Sequence, residues 1–455
     1  MKFRALLVLL LLFTSVVHAK TKLMVWGLQS GKETKALDAQ IAEFEKRNPD
    51  IDVALLPIGD GYIDLQKLMT AAGGLPPAVV NLSDFTAGIE ASTNTLLALN
   101  EFLEADKNQP SAIQEREYYT AAWQGAKYKG RLYSIPTGAD ARMLFYNRKM
   151  LLQAGFKKPP QSWDELLVYA KKLTKRRQDG SFERIGFIPN YGNAWPYLYS
   201  WQNGGEFMSL DGRKCTLNNQ HSMEAFRFMI EVYDALGGYD KVNTFQSTFP
   251  DGPQNPFLTG KVGMVITGNW TLDSIARYAP NLDFGVAPAP VPLARLRGEG
   301  RFKGQPKFIT WSSGFSMAIP RGARQSREAW RFIRWMSSSD AVLLGSKAQK
   351  RYNESKGRPF VFLYTANKKI NERLLREFPV KNKRIQKSQK TFLDILPNSK
   401  HRPVTPVATA LWDAQMRAFD TAAQHLKSLR MAMNEQTAFV QKELDSFNAQ
   451  QKKPL

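Results

Sequence analysis

The sequence predicts an α/β protein built as two lobes. Near-continuous apolar strands alternate with helical patterns over the first hundred residues, further helices and strand-like runs continue after residue 140, and no Pro- or Ser-rich linker divides the chain. Unbroken apolar strands separated by helices are the mark of a parallel sheet covered on both faces. At roughly 100–200 residues per domain, 455 residues supply two to four domains' worth of core. With 43% hydrophobic residues, disordered and collagen-like chains are excluded. Two lobes without a linker imply that the chain crosses between them more than once.

The elements follow in order. Lys2 and Arg4 precede the apolar run Ala5 to Phe13, and Val17-His18-Ala19 closes it with a small-x-Ala pattern. This is the form of a cleaved secretory signal over 1–19, and the run is shorter than the roughly 20 residues a membrane span needs. No cysteine stands at the cleavage point, so a soluble, exported, periplasmic protein without a lipid anchor there is expected. Lys22 to Gly27 reads as a buried strand. Lys32 to Arg47 carries Leu37, Ile41 and Phe44 at helical spacing, and Asn48-Pro49-Asp50 stops it. Ile51 to Pro57 is a second strand. A helical pattern through Leu65, Leu68 and Met69 ends at Gly73-Gly74-Leu75-Pro76-Pro77, and Ala78 to Leu82 is a third strand. Later helices are expected over Trp163–Leu173, Met223–Leu236, Glu328–Met336 and, with interruptions, Trp412–Phe447. Strand-like runs lie at Met143–Tyr146, Val262–Thr267 and Phe315–Ile319.

The balance of 63 Lys+Arg against 41 Asp+Glu gives a formal charge of +22, two of which leave with the signal. From Lys347 to Arg402 there are sixteen basic residues against four acidic ones. Such a face either confers solubility or docks something acidic, whether a polyanionic glycan, a lipid headgroup layer or an acidic partner. A single Cys215 excludes an internal disulfide and a Cys-based zinc site, and His221, His401 and His425 have no metal-ligand spacing. No metal or cofactor is expected. Nucleophile-elbow, zinc-protease and phosphate-loop motifs are absent, and Asp60, Asp64, Asp84, Asp140 and Glu206 form no recognisable acid/base pair, so the chain is not read as an enzyme. An export signal without a recognition motif argues against nucleic-acid binding.

Several patterns then stand in a fixed order. Lys22-Leu-x-Val-Trp26 is followed by Phe44…Pro49-x-Ile51-x-Val53. Leu132-Tyr133-x-Ile135-Pro136 leads to Leu144-Phe145-Tyr146-Asn147, and Pro160-x-Ser162-Trp163-Asp164-Glu165-Leu166 to Ala170-Lys171-Lys172-Leu173. Phe257-x-x-Gly260-Lys261-x-Gly263-Met264 runs into Gly268-Asn269-Trp270. Glu328-Ala329-Trp330-x-Phe332-Ile333 and Arg402-Pro403-Val404-Thr405-Pro406 come last. From Lys22 to about Thr421 this series resembles the family 1 extracellular solute-binding proteins, the maltose-binding-protein-like receptors of ABC importers. The basic stretch Gly345 to His401 is the least family-like part.

The resemblance implies a two-lobe periplasmic-binding-protein clamshell, type II-like, that closes over a ligand. On this plan 20–137 and 268–318 form the N-terminal lobe, and 138–267 and 319–455 the C-terminal lobe. Hinges are expected near Pro136–Ala141, Thr267–Trp270 and Ala318–Gly322. It also implies a monomeric receptor that hands a sugar or oligosaccharide to the transmembrane permease subunits of an ABC importer and performs no chemistry on it. The alternative keeps the fold and binds an anionic ligand, a uronate oligosaccharide or glycerol 3-phosphate. An exported carbohydrate-active enzyme is a more distant alternative.

A sugar offers an apolar C–H face to aromatic rings and a rim of hydroxyls to Asp, Asn, Gln and Arg. Four aromatic-plus-polar clusters therefore qualify at strand ends facing a cleft. Trp26 precedes Gln29 and Ser30. Asp84 ends the third strand. Tyr191 and Trp195 stand in Asn190-Tyr-Gly-Asn-Ala-Trp195, followed by Tyr197, Tyr199 and Trp201. Asp140, Arg142, Asn269, Trp270, Trp311, Ser312 and Arg402 lie at expected crossings. By resemblance, Trp270 and the polar residues after Trp26 are the best carry-overs. Trp26 fits strand packing as well as ligand contact, Asp84 and Asp140 fit helix capping or hinge bonding, and Tyr197, Tyr199 and Trp201 fit a core. Arg402 fits pairing with a carbonyl or carboxylate.

Overall fold

Leu23 and Val25 lose all contact with water on β1 (Thr21–Trp26), which pairs in parallel with β2 (Ile51–Leu56) from Thr21 opposite Ile51 to Trp26 opposite Leu56. Between them the helix Ala36–Arg47 buries Leu37 and Phe44, and Phe44 meets Phe332 edge-on at 5.2 Å. β3 (Val79–Ser83), buried throughout, adds to the other side of β1. The structure is a computed structural model that describes residues 20–28, 34–58, 65, 69–70 and 73–451. The expected signal over 1–19, as well as Gln29 and Ser30, lie outside the described residues.

Downstream come the hairpin strands β4 (Lys127–Tyr128) and β5 (Arg131–Leu132), then β6 (Ser134–Pro136) and β7 (Met143–Asn147). They are followed by β8 (Lys175–Arg176), β9 (Phe182–Gly192), β10 (Val262–Thr267) and β11 (Phe284–Pro288). β12 (Thr310–Trp311), β13 (Phe315–Ala318) and β14 (Ser399–Lys400) are the last strands. One sheet has the order β2-β1-β3-β13-β6 and the other β11-β7-β10-β9-β8. The parallel sheet expected of the first lobe holds for β2, β1 and β3. β13 runs antiparallel to both β3 and β6, because it enters from the opposite end after returning from the second lobe.

The strand pairing sets the lobes and corrects two expected boundaries. β11 zips against β7, Phe284 opposite Asn147 and Pro288 opposite Met143, so the segment from 268 to 288 stays with the second sheet and Thr267–Trp270 is no crossing. After β13, the helices Ser326–Met336 and Ser339–Ser355 pack on Ala36–Arg47, so Ala318–Gly322 is no crossing either and 319–355 belongs with the first lobe. The crossings that the sheets define are 137–142, 312–314 and the stretch that follows β14, which pairs with β12. The first of these coincides with the hinge expected at Pro136–Ala141.

Each lobe has a core, and the helices Ala408–Ala423 and Leu429–Gln451 close the second by packing on Gln220–Ala235. The basic stretch forms a helical layer between the lobes. From the helix Lys383–Ile395, Phe392 stands 5.7 Å from Phe145 of β7, which stacks on Phe284 of β11 at 6.3 Å. These rings join the core that also contains Leu23, Trp123 and Tyr364.

Two crossings touch at the backbone. A Cβ on Gly314 would stand 2.0 Å from the Gly138 carbonyl oxygen, far inside contact distance. Gly314→Ala is therefore expected to push the crossings apart and lower the unfolding free energy by about 2 kcal/mol, within the range for overpacking. Urea denaturation checks this, and an unchanged midpoint would contradict the packing.

Candidate functional site

The crossings converge on Trp311, 2% exposed at the end of β12. The Arg142 guanidinium carbon lies 4.4 Å from its ring centroid and that of Arg402 lies 5.3 Å away. Arg142 is also 5.1 Å from the Trp270 centroid, and Arg402 4.6 Å from that of Phe85. A flat, weakly hydrated guanidinium gains from resting on an aromatic face, which lets both arginines stay buried.

Each arginine has a carboxylate. Arg142 Nη1 donates to Asp140 Oδ1, and its Nε donates to the Asn193 carbonyl at 3.1 Å and to Asn193 Oδ1 at 2.9 Å. Arg402 Nη2 donates to Asp84 Oδ1 at 2.6 Å. Ser313 joins the two pairs: its backbone N–H donates to Asp140 Oδ1 at 2.7 Å and its hydroxyl to Asp84 Oδ1 at 2.6 Å. One polar chain thus runs from the first lobe (Asp84) through the crossings (Arg402, Ser313, Asp140, Arg142) to the second lobe (Asn193). Asp84 stands in the first turn of the helix Asp84–Ser92, where the aligned peptide dipoles favour a carboxylate. Burial pushes the Asp140 carboxyl up, against the pull of Arg142.

Beside this chain, at the ends of β9 and β10, lies a cavity of about 360 Å³ lined by Asn190, Tyr191, Asn193, Trp195, Asn255 and Trp270, among others. Trp270 follows β10 and is 37% exposed. Its ring lies over Gly268, where a Cβ would come within 1.9 Å of Trp270 Cζ3, so the Gly-Asn-Trp sequence is what lets the indole fold back. Tyr191 meets Phe249 edge-on at 5.1 Å, and Trp195 meets Trp412 edge-on at 5.3 Å. Trp195 holds φ at +41°, a left-handed conformation that a bulky residue adopts only when its surroundings impose it. The Asn190 Oδ1 in the cavity wall is buried without a hydrogen-bond partner, as is Asn269 Oδ1. The volume and the mixture of rings with a few amides suit a small polar ligand. Asp251 is the one charged side chain in the lining among the described residues.

A family profile described as bacterial extracellular solute-binding protein matches residues 30–342. The chain belongs to that family. Among curated relatives of this solute-binding protein, the maltotriose-binding protein of Pyrococcus abyssi is 24% identical over 331 residues, which take in 71% of this chain and 64% of that protein. The sn-glycerol-3-phosphate-binding periplasmic protein UgpB of Salmonella typhimurium is 25% identical over 299 residues, 62% of this chain and 64% of its own. The chain thus spans somewhat less than two thirds of either relative. A solved structure described as CpMnBP1 with mannotriose bound superposes with a TM-score of 0.73 at 22% identity, covering 92% of this chain and all of that one. The sugar-binding protein MalE of Xanthomonas citri gives 0.70 at 18% identity, covering 95% of this chain and all of its own. These likenesses establish the two-lobe fold.

Of the residues singled out in sequence, the solute-binding protein brings Asp84, Asp140, Arg142, Trp311 and Arg402 into one network, and Tyr191, Trp195 and Trp270 into the adjoining cavity. Asn269 is buried next to Trp270, and Ser312 is buried with its N–H donating to the Lys400 carbonyl at 2.9 Å. Trp26 is 5% exposed and packs with Leu65, Val80, Leu82 and Ala318 in the first lobe, so strand packing is the role it fills. Tyr197, Tyr199 and Trp201 are likewise core. Asn193 figures in the sequence reading only as part of the Asn190–Trp195 cluster, and two residues escaped that reading. Ser313 stands next to a chosen residue but carries no signal of its own. Trp412, 6.2 Å from Phe85 and 6.0 Å from Tyr197, reads in sequence as one more apolar helix residue.

Asp84→Ala leaves Arg402, 7% exposed, without its carboxylate. Removing one partner of a buried pair costs about 3–5 kcal/mol, so a loss of about 3 kcal/mol is expected in urea denaturation. A loss under about 1 kcal/mol, typical of surface pairs, would contradict the assignment. His401 donates from Nδ1 to the Arg402 carbonyl at 2.8 Å, and burial holds its pKa below the usual 6.5. The folded state keeps it neutral while the unfolded state takes up a proton below about pH 6.5, so stability is retained above that pH and lost as pH falls through it. The slope is at most about 1.4 kcal/mol per pH unit. Thermal denaturation at pH 7.5 and 5.5 should show a smaller difference for His401→Gln than for the parent, and equal differences would exclude His401 as the source.

Proposed function

We propose that this protein binds a neutral sugar or short oligosaccharide in the cavity between Trp270, Trp195 and Tyr191 and delivers it to the permease of an ABC importer. The observation that carries the reading is the state of charge at the cleft. Both arginines are engaged by Asp84 and Asp140 and covered by indole, while the described cavity lining offers rings, amides and the carboxylate of Asp251. Rings cover the C–H face of a sugar, and the Asn190, Asn193 and Asn255 amides meet its hydroxyls. An anionic ligand such as glycerol 3-phosphate needs a cation, which the described residues of the cavity wall do not offer, and it meets Asp251 instead. Membership of a binding-protein family supports a receptor, and so do the sugars named for the maltotriose-binding relative and the mannotriose-bound structure.

Binding here proceeds without chemistry on the ligand. Glycoside hydrolysis asks for two carboxylates flanking the bond, and among the described lining residues Asp251 has no second acid beside it. The receptor is monomeric and exported to the periplasm behind the cleaved signal 1–19, and no helix of the described residues is long and apolar enough to cross a membrane. Closure is a population shift: a ligand that touches both lobes favours the closed arrangement by the contacts it makes only there. Gln29 and Ser30, which follow β1 in sequence, are proposed to complete the site.

Trp270→Ala is expected to weaken oligosaccharide binding at least tenfold with an unchanged melting temperature. Calorimetric titration with maltotriose, mannotriose and glycerol 3-phosphate checks both parts. Tight glycerol 3-phosphate binding with none for the sugars would replace the neutral-ligand reading by the anionic one.

A further inference from the structure

The helix Lys383–Ile395 turns Ile385, Phe392 and Ile395 inward and leaves Lys383, Lys387 and Lys390 exposed, at the i, i+4, i+7 spacing of one face. Two hollows flank this stripe. The larger, about 620 Å³, is walled by the stripe and by Lys368, Asn371 and Leu375 of the helix Lys368–Glu377. The smaller, about 240 Å³, is bordered by β11 and lined by Arg148, Lys157, Lys158 and Arg384. Lys387 belongs to both. The opposing acids are few: Glu372 and Asp394 line the larger hollow, and Asp283 pairs with Arg148 and Arg384 near the smaller. No ion pair among the described residues engages Lys383, Lys387, Lys390, Lys157 or Lys158.

This arrangement opposes local stability. Lys383 and Arg384 sit in the first turn of their helix, where the macrodipole favours acids, and the three stripe lysines repel one another. Sequences break such rules chiefly at functional or strained sites. A second observation lies in the wall of the larger hollow. Gln389 is 1% exposed and its Nε2 has no hydrogen-bond partner, a buried donor that is costly to leave unmet. The stripe runs about 10 Å along the helix at 1.5 Å per residue, the reach of two or three linked sugars.

We propose that the stripe and its two hollows form a second binding site, for an acidic oligosaccharide carrying carboxylates on successive sugars. The lysines meet the carboxylates, the Gln386 and Gln389 amides and the Glu372 and Asp394 carboxylates meet hydroxyls, and Leu375 and Leu393 take the ring faces. A ligand that follows one ridge between two concavities is a flexible chain; a flat bilayer would touch the protruding cations and leave the hollows empty. The site shares no residue with the cleft and does not rest on the reading of the cleft's ligand.

The test is calorimetric titration of the purified protein with tetragalacturonate, alongside Lys383→Gln/Lys387→Gln/Lys390→Gln and Trp270→Ala. The expected result is saturable binding that weakens at least tenfold between about 20 and 200 mM salt as screening lengths shorten. The triple variant should lose at least tenfold in affinity with its melting temperature kept, and Trp270→Ala should bind as the parent does. If the triple variant fails to fold, Lys387→Gln alone should still weaken binding measurably. No binding by the parent, equal binding by the folded lysine variants, or loss of binding in Trp270→Ala would each overturn the proposal. So would capture by phosphatidylglycerol vesicles without any by tetragalacturonate.

Discussion

Two buried arginine–carboxylate pairs around one indole are the constraint from which the middle of this molecule is built. Taking four charges out of water is costly, and the cost is met only if each finds its partner at hydrogen-bond distance. Asp84, the Asp140–Arg142 pair and Arg402 come from three separate places in the chain, so the requirement fixes how the first lobe and the crossings meet. Trp311 covers both guanidiniums, and Ser313 bonds both carboxylates, so no pair can shift without disturbing the other. A purely apolar hub of the same volume would hold the crossings together without specifying their register.

The same hub shapes what the neighbouring cavity can recognise. By satisfying the arginines internally, it leaves the described lining of the cavity with indole and phenol faces, amides and one acid. Arg142 spans the two roles, since its guanidinium lies between Trp311 in the hub and Trp270 at the cavity wall. Movement of Trp270 on ligand contact would therefore be felt at Asp140 and Ser313, within the crossings. The strained backbone at Trp195 belongs to the same wall, where Trp412 pins the ring.

The excess positive charge is also placed by the fold. The helices that carry it reach both lobes, Ser339–Ser355 packing on Ala36–Arg47 and Lys383–Ile395 on β11, with Phe392 against Phe145. Lys383, Lys387 and Lys390 on the outward face enter no ion pair among the described residues. The segment is apolar on its inward side, where its packing is continuous with the core, and cationic where it faces solvent.

How much could be read beforehand follows from the range of the forces involved. Strand and helix periodicity is local, so β1, β2, β3, β10 and the helix Trp163–Leu173 were legible to within a residue or two. Gly-Asn-Trp270 was legible because the glycine and the indole it accommodates are two residues apart. The sequence alone likewise determined the α/β alternation, the repeated crossing and the location of the basic excess. Which crossing was which lay beyond it, since the pairing of β11 with β7 joins residues more than a hundred positions apart and nothing local distinguishes it from a return to the first sheet. Tertiary structure also decided that Trp26 is core, that Ser313 and Asn193 join the arginine–carboxylate network, and that Trp412 packs on Trp195. A serine becomes a bridge, and a tryptophan a wall, only when distant segments bring it partners, and those distances are set by burying whole sheets rather than by any short run of residues.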